Sequence, residues 1–164
     1  IVKSTNETYP ADLAIEEVPV HIARQKALGV AADLSNNTIV IAADTIVVLG
    51  DEIIGKPTNR ENAIEILSKL AGQTHRVITG VVLMEGAFEK SFSDITTVHF
   101  HELTVEQITF YVDKYKPYDK AGAYAIQGRA EAFTRFLSGS HSNVVGLPLF
   151  ETAQMLRGIG WLKP

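Results

Sequence analysis

Read for apolar and polar positions alone, the chain alternates between a period of two and a period near 3.6. Five consecutive apolar residues, Ile39 to Ala43, predict a strand buried on both faces. Asp44 and Thr45 interrupt that run, and Ile46 to Leu49 resume it. Gly50-Asp51 then signals a two-residue hairpin, and Glu52 to Ile54 a short return strand that brings Lys56 back near the same end. Burying a lone carboxylate between two β-branched runs is costly unless something pairs with it. Asp44 therefore reads either as the cap of a turn or as a group with chemistry to do.

Upstream, residues 1 to 17 are polar, and Asn6-Glu7 and Tyr9-Pro10 read as a strand end and loop. Pro19 suits the first position of a helix whose stripe is Val20, Ala23, Ala27, Val30 and Leu34. Ile22 and Lys26 lie one turn apart at the edge of that stripe, where a lysine is ordinarily a solvated rim residue. Beyond the hairpin, Thr58-Asn59-Arg60-Glu61 predicts a capping box, opening a helix with Ala63, Ile66, Leu67 and Leu70 on one face and Gly72 at its stop.

Val77 to Met84 reads as a strand, Glu85-Gly86-Ala87 as a turn, and Phe88 to Phe100 as a long return strand. Alternation puts Val98 and Phe100 on one face, with His99 and His101 on the other. Two histidines so spaced can share a metal ion, but no third ligand stands nearby in sequence, and a solvated face is the plainer reading. Thr104 to Gln107 is a second capping box, and its helix runs to about Tyr115 before Pro117. Asp119 to Tyr124 is a small-residue loop flanked by charge, followed by the strand-like Ala125 to Gly128. Ser138 to Leu147 is a Gly/Ser-rich loop, and Pro148 starts a terminal helix that stops near Gly158. Interleaved strands and helices predict an α/β protein, a mixed twisted sheet with flanking helices.

Composition narrows the chemistry. A chain of 164 residues suggests one domain with a core that needs no staples. The absence of cysteine excludes disulfides, thiolate zinc sites and cysteine nucleophiles. A net charge of −4 argues against a dedicated nucleic-acid binder, yet allows a small anion held by a few placed lysines. No apolar run approaches a membrane span and no signal peptide precedes the first helix, so the expectation is a cytoplasmic protein with no membrane partner. Gly50 to Lys56 reads G-x-x-x-x-G-K, but Pro57 stands where a metal-binding Ser or Thr belongs, and no helix opens there.

What remains is a set of polar residues at the edges of apolar elements: Glu7, Lys26, Asp44, Lys56, Asp119, Lys120 and Gln127. Carboxylates and lysines without a thiol suit a phosphate ester or anhydride held with a hard cation, Mg²⁺ or Mn²⁺. The carboxylates would bind the cation and orient a water, and the lysines would neutralise charge on the phosphates.

Nine short motifs run along the chain in a fixed order: Asn6-Glu7, the helix turn from Ile22 to Ala27, Ala42 to Val47, Gly55-Lys56-Pro57, Leu70 to His75, Thr79-Gly80-Val81, Asp119 to Tyr124, Ile126-Gln127-Gly128 and Asn143 to Pro148. In these the chain resembles the Maf proteins, nucleoside triphosphate pyrophosphatases related in fold to the inosine triphosphatases. The resemblance implies hydrolysis of a nucleoside triphosphate to the monophosphate and pyrophosphate with a divalent metal. It assigns Asp44 as the base for the attacking water, with Glu7, Lys26 and Lys56 supporting metal and phosphates. Asp44 and Glu7 become the metal ligands, Lys120 joins the substrate-binding set, and Thr45 and Gln127 match positions linked to base selection. An A-D-T motif, here Ala43-Asp44-Thr45, resembles the dTTP/UTP type. The rival reading attached to the family is a septum-formation regulator that binds nucleotide without hydrolysing it; retention of the carboxylates and lysines favours the enzyme. Family members open with a strand and an S-x-S-x-R-R loop whose arginines hold the phosphates, and the sequence starts downstream of it. The expectation is weak turnover without that loop, and an unpaired strand edge that would permit a homodimer.

Overall fold

The structure is a computed structural model that describes Ile1 and residues 7–163, with Arg129 by its backbone alone. Asn6, half of the Asn6-Glu7 pair, lies outside the described residues. The elements run, after a 3₁₀ turn at Ile15–Glu17, as α1 (Val18–Ala31), β1 (Val40–Leu49), β2 (Glu52–Ile54), α2 (Arg60–Leu70), β3 (Thr74–Glu85) and β4 (Phe88–Phe100). Then come α3 (Val105–Tyr115), 3₁₀ turns at Ala121–Ala123 and Gly128–Phe133, β5 (Thr134–Ser138), α4 (His141–Val145) and α5 (Leu149–Gly158). The strands are ordered β2-β1-β3-β4-β5. The α/β class with flanking helices holds, and the sheet is antiparallel where a mixed one was expected. Tight hairpins make the reversals: Gly50 takes φ +61 between β1 and β2, and Gly86 takes φ +56 between β3 and β4.

Contacts gather the chain into two units, one from Ile1–Thr45, Ile78–Asp94 and Gly146–Pro164, the other from Ile46–Val77 and Ile95–Val145. In the first, α1 lays Ala23 and Ala27 on Val40, Val82 and Met84. Ile39 to Ala43 is not buried on both faces: Val40 is 7% exposed, whereas Ile39 and Ile41 are 42% and 45% exposed. Period-two alternation turns Val40 onto α1 and the two isoleucines away from it. The run buried throughout is Ile46 to Val48 instead.

The second unit holds an aromatic core, with Leu67, Leu70, Phe100, Ile108, Val112, Tyr124 and Phe133 buried together. Helix α2 starts one residue later than the expected box. Asn59 is its N-cap, accepting from the Asn62 backbone N–H at 2.8 Å, while Asn62 Oδ1 accepts from the Thr58 N–H at 3.2 Å. Asparagine caps at least as well as threonine, and Asn62 stands where it can reach back. Helix α3 has its predicted box: Thr104 Oγ1 accepts from Gln107 N–H at 3.2 Å and Gln107 Oε1 from Thr104 N–H at 2.9 Å.

Ala125 to Gly128 is no strand. Tyr124 and Ile126 alternate into the core as a strand would, but left-handed backbone at Gly122, Ala123 and Gly128 turns the chain on either side. The fifth strand is β5, pairing Val98↔Leu137 and His99↔Phe136 with an irregularity at His99/Phe100. The Ser138 to Leu147 loop contains α4, anchored by the buried Asn143, whose Nδ2 donates to Thr96 Oγ1 at 2.8 Å and the Val77 carbonyl at 3.2 Å.

His75 lies inside this core, 1% exposed, with Nε2 2.8 Å from the Tyr124 hydroxyl and its ring edge-on to Phe100. Burial, then the nearby His99, pushes its pKa from 6.5 down to about 4. Between those values the unfolded chain binds the proton that the folded chain refuses, so stability falls as pH drops from 6.5 to about 4. The contribution is whole above 6.5 and falls no further below about 4. The expected slope for this one group is about 1.4 kcal/mol per pH unit. Urea midpoints over that window measure it, and His75→Gln, which cannot titrate, should flatten the profile; parallel profiles would clear His75 of the effect.

Candidate active site

The first unit brings Glu7, Lys26 and Asp44 together. Lys26 Nζ, from α1, lies 2.5 Å from Asp44 Oδ1 on β1 and 3.1 Å from Glu7 Oε1. The Asp44 side chain keeps 12% of its exposure, against 31% for Lys26 and 44% for Glu7. Burial alone would lower the Lys26 pKa, but hydrogen bonds and charge from Asp44, then Glu7, outweigh it and hold the ammonium above its ordinary value. Lys26 is thus not a solvated rim residue: it offsets the cost of desolvating the strand's carboxylate. Beside Asp44, the Thr45 hydroxyl bonds that of the fully buried Thr79 at 2.8 Å.

A cleft of about 590 Å³ opens here, with Glu7 and Lys26 in one wall and Val30, Leu34, Ile39 and Ile41 among its apolar lining. That volume lies in the range of small-molecule sites, about 300–1,000 Å³. Its lining combines the Glu7–Lys26 ion pair with aliphatic surface.

The height of Lys26 over the strand is set by Gly80. A Cβ built on Gly80 would stand 2.2 Å from Val20 N and 2.4 Å from Pro19 C, so β3 and the start of α1 meet backbone to backbone.

The second unit holds the remaining candidates. Lys120 Nζ donates to Asp119 Oδ2 at 2.6 Å, and this bond, with further help from Lys56, keeps the Asp119 carboxyl below its usual range. Lys56 follows β2 in a loop joined to this one where Gly122 N–H donates to the Gly55 carbonyl at 3.1 Å. Ala123 holds φ +59, a conformation uncommon for any residue with a Cβ. Gln127 is exposed, on the loop before the Gly128–Phe133 turn. His99 bonds Thr74 Oγ1 through Nδ1 at 2.6 Å and stacks on Phe136. Among the described residues no three of His, Cys, Asp or Glu gather as a metal cluster. Glu7 and Asp44 are nonetheless hard oxygen donors of the kind Mg²⁺ uses, one or two carboxylates completed by water and substrate phosphate.

Fold and site define an α/β protein with a carboxylate–lysine cleft. The chain belongs to the Maf family, whose sequence model ("Maf-like protein") matches residues 1–159. A relative from Bacteroides thetaiotaomicron, named dTTP/UTP pyrophosphatase, is 44% identical over 145 residues, 88% of this chain and 75% of the relative. One of the same name from Phocaeicola vulgatus is 46% identical over 144 residues, 87% and 75% of the two chains. A third, from Escherichia coli O157:H7, is 40% identical over 163 residues, 99% and 83%.

Gly80→Ala should force β3 and α1 apart and draw Lys26 away from Asp44. Overpacking of this kind costs about 1–3 kcal/mol. A urea midpoint equal to wild type would show that the backbones have room to spare.

Proposed function

We propose that this chain hydrolyses a nucleoside triphosphate, UTP or dTTP by preference, to the monophosphate and pyrophosphate. The observation that carries the reading is the Lys26 ammonium held 2.5 Å from Asp44 and 3.1 Å from Glu7. It is supported by membership of a family whose relatives bear the name dTTP/UTP pyrophosphatase.

In this reading Asp44 takes the proton of the attacking water while the α–β anhydride bond breaks, its electron pair leaving with pyrophosphate. Lys26, 2.5 Å from Asp44 Oδ1, holds that carboxylate in place on the strand. A divalent cation, Mg²⁺ or Mn²⁺, held by Glu7 and Asp44 with the substrate phosphates, would supply charge neutralisation. Lys56 and Lys120 keep the role implied by the family resemblance, neutralising phosphate oxygens. Thr45 and Gln127 keep the role implied by the family resemblance, base selection: a hydroxyl and an amide can pair with the O2, N3–H and O4 edge of uracil or thymine. The Thr45 hydroxyl oxygen also lies 2.8 Å from that of Thr79, which holds its side chain in place.

Asp44→Asn keeps the side chain's shape and removes the base. Turnover, read as pyrophosphate release, should fall by about 10²–10⁴-fold; near-normal turnover would take Asp44 out of the chemistry. Across a panel of triphosphates, kcat/KM should be highest for UTP and dTTP and lower for ATP and 7-methyl-GTP, whose edges leave the site's polar groups unpaired. A panel led by 7-methyl-GTP would overturn the assignment of the base.

A further inference from the structure

Glu7 enters the carboxylate–lysine cluster from a stretch with no regular secondary structure, residues 7–10. No strand ladder or helix fixes where its carboxylate points, and its side chain is 44% exposed. Something else must hold it 3.1 Å from Lys26 Nζ.

Gln25 meets that requirement. It precedes Lys26 on α1, and its Nε2 donates to the carbonyl of Thr8, one residue beyond Glu7, at 2.7 Å. The same Nε2 lies 3.2 Å from Nε2 of His21, one turn earlier on α1, which accepts when the imidazole carries its proton on Nδ1. Both hydrogens of the amide are then used. Its other end, Oε1, is buried without a hydrogen-bond partner. Flipping the amide would set Oε1 against the Thr8 carbonyl, acceptor facing acceptor, so the donor end alone fixes the orientation.

We infer that Gln25 is a positioning residue for Glu7: its hydrogen bond to the Thr8 carbonyl fastens the Glu7 segment to the helix that carries Lys26. The inference rests on the proposed function for its kinetic consequence only; the tether itself is read from these contacts. One side of α1 thereby sets both partners of one ion pair, Lys26 through its own side chain and Glu7 through Gln25.

Three substitutions separate a donor from mere bulk. Gln25→Met keeps length without a donor, Gln25→Glu keeps shape but presents an acceptor, and Gln25→Lys keeps a donor. Hydrogen exchange at the amides of residues 8–12, followed by mass spectrometry, reads the tether directly. Exchange there should quicken in the Met and Glu variants, most in Glu, and stay near wild type in Lys. With UTP as substrate, kcat should fall about three- to tenfold in Gln25→Met, the worth of one hydrogen bond, with a smaller change in KM, and Gln25→Lys should recover most of the loss. Wild-type chain that hydrolyses neither UTP nor dTTP would sink the functional reading and leave the exchange arm to judge the tether. Unchanged exchange in Met and Glu, or equal loss in all three variants, would overturn the inference, because packing alone would then explain Gln25.

Discussion

An ammonium shared by two carboxylates is what lets β1 carry an acid in its interior. Asp44 sits in a ten-residue strand whose later half, Ile46 to Val48, is closed to water. Alone there, it would lose hydration with nothing in return. Lys26 supplies the return, and the elements around it can be ranked by what they do for that contact. Helix α1 carries the lysine, Gly80 lets the helix come close, and the loop that brings Glu7 adds the second anion. A lysine also losing water gains only if its partners are well placed, and at 2.5 and 3.1 Å from Lys26 Nζ the two carboxylates are.

The two units meet the packing problem with different materials. The first relies mostly on small side chains, Ala23, Ala27, Val40 and Val82, with Met84 the one long residue buried among them. The second is filled by rings: Phe100 and Tyr124 meet His75 and each other edge to face, and Tyr111 meets Phe133 the same way. Aromatic pairs favour such geometry, and each fixes the angle of the next. A neutral imidazole is tolerated among them because it bonds Tyr124.

Much of the fold was legible because it is written locally. Phe88 to Phe100 came from period-two alternation and a Gly86-Ala87 turn, and α3 from Thr104 and Gln107 three residues apart. What the chain hides is set at a distance. Tyr124 and Ile126 alternate like a strand yet have no ladder, since alternation reports burial and not pairing. β5 went unseen because Phe136 and Leu137 stand side by side instead of alternating with polar residues, and Thr134 to Ser138 is mostly exposed. Asp44 stood out as a carboxylate in the wrong place, whereas Lys26 looked ordinary: its partner lies 18 residues away on another element. Gln25 and Thr79 entered only as members of the matching motifs, with no role attached, because a hydroxyl or an amide acquires a role only from the atom it faces.

The division of the chain carries a consequence for how it can be dissected. The first unit owns both ends of the sequence and the segment Ile78–Asp94 between, while the second occupies the two intervals left over. Strands β1, β3 and β4 each pass from one set of residues to the other partway along their length. No single peptide bond can be broken to free one unit from its companion. A fragment made by one cut would carry residues of both units or only part of one.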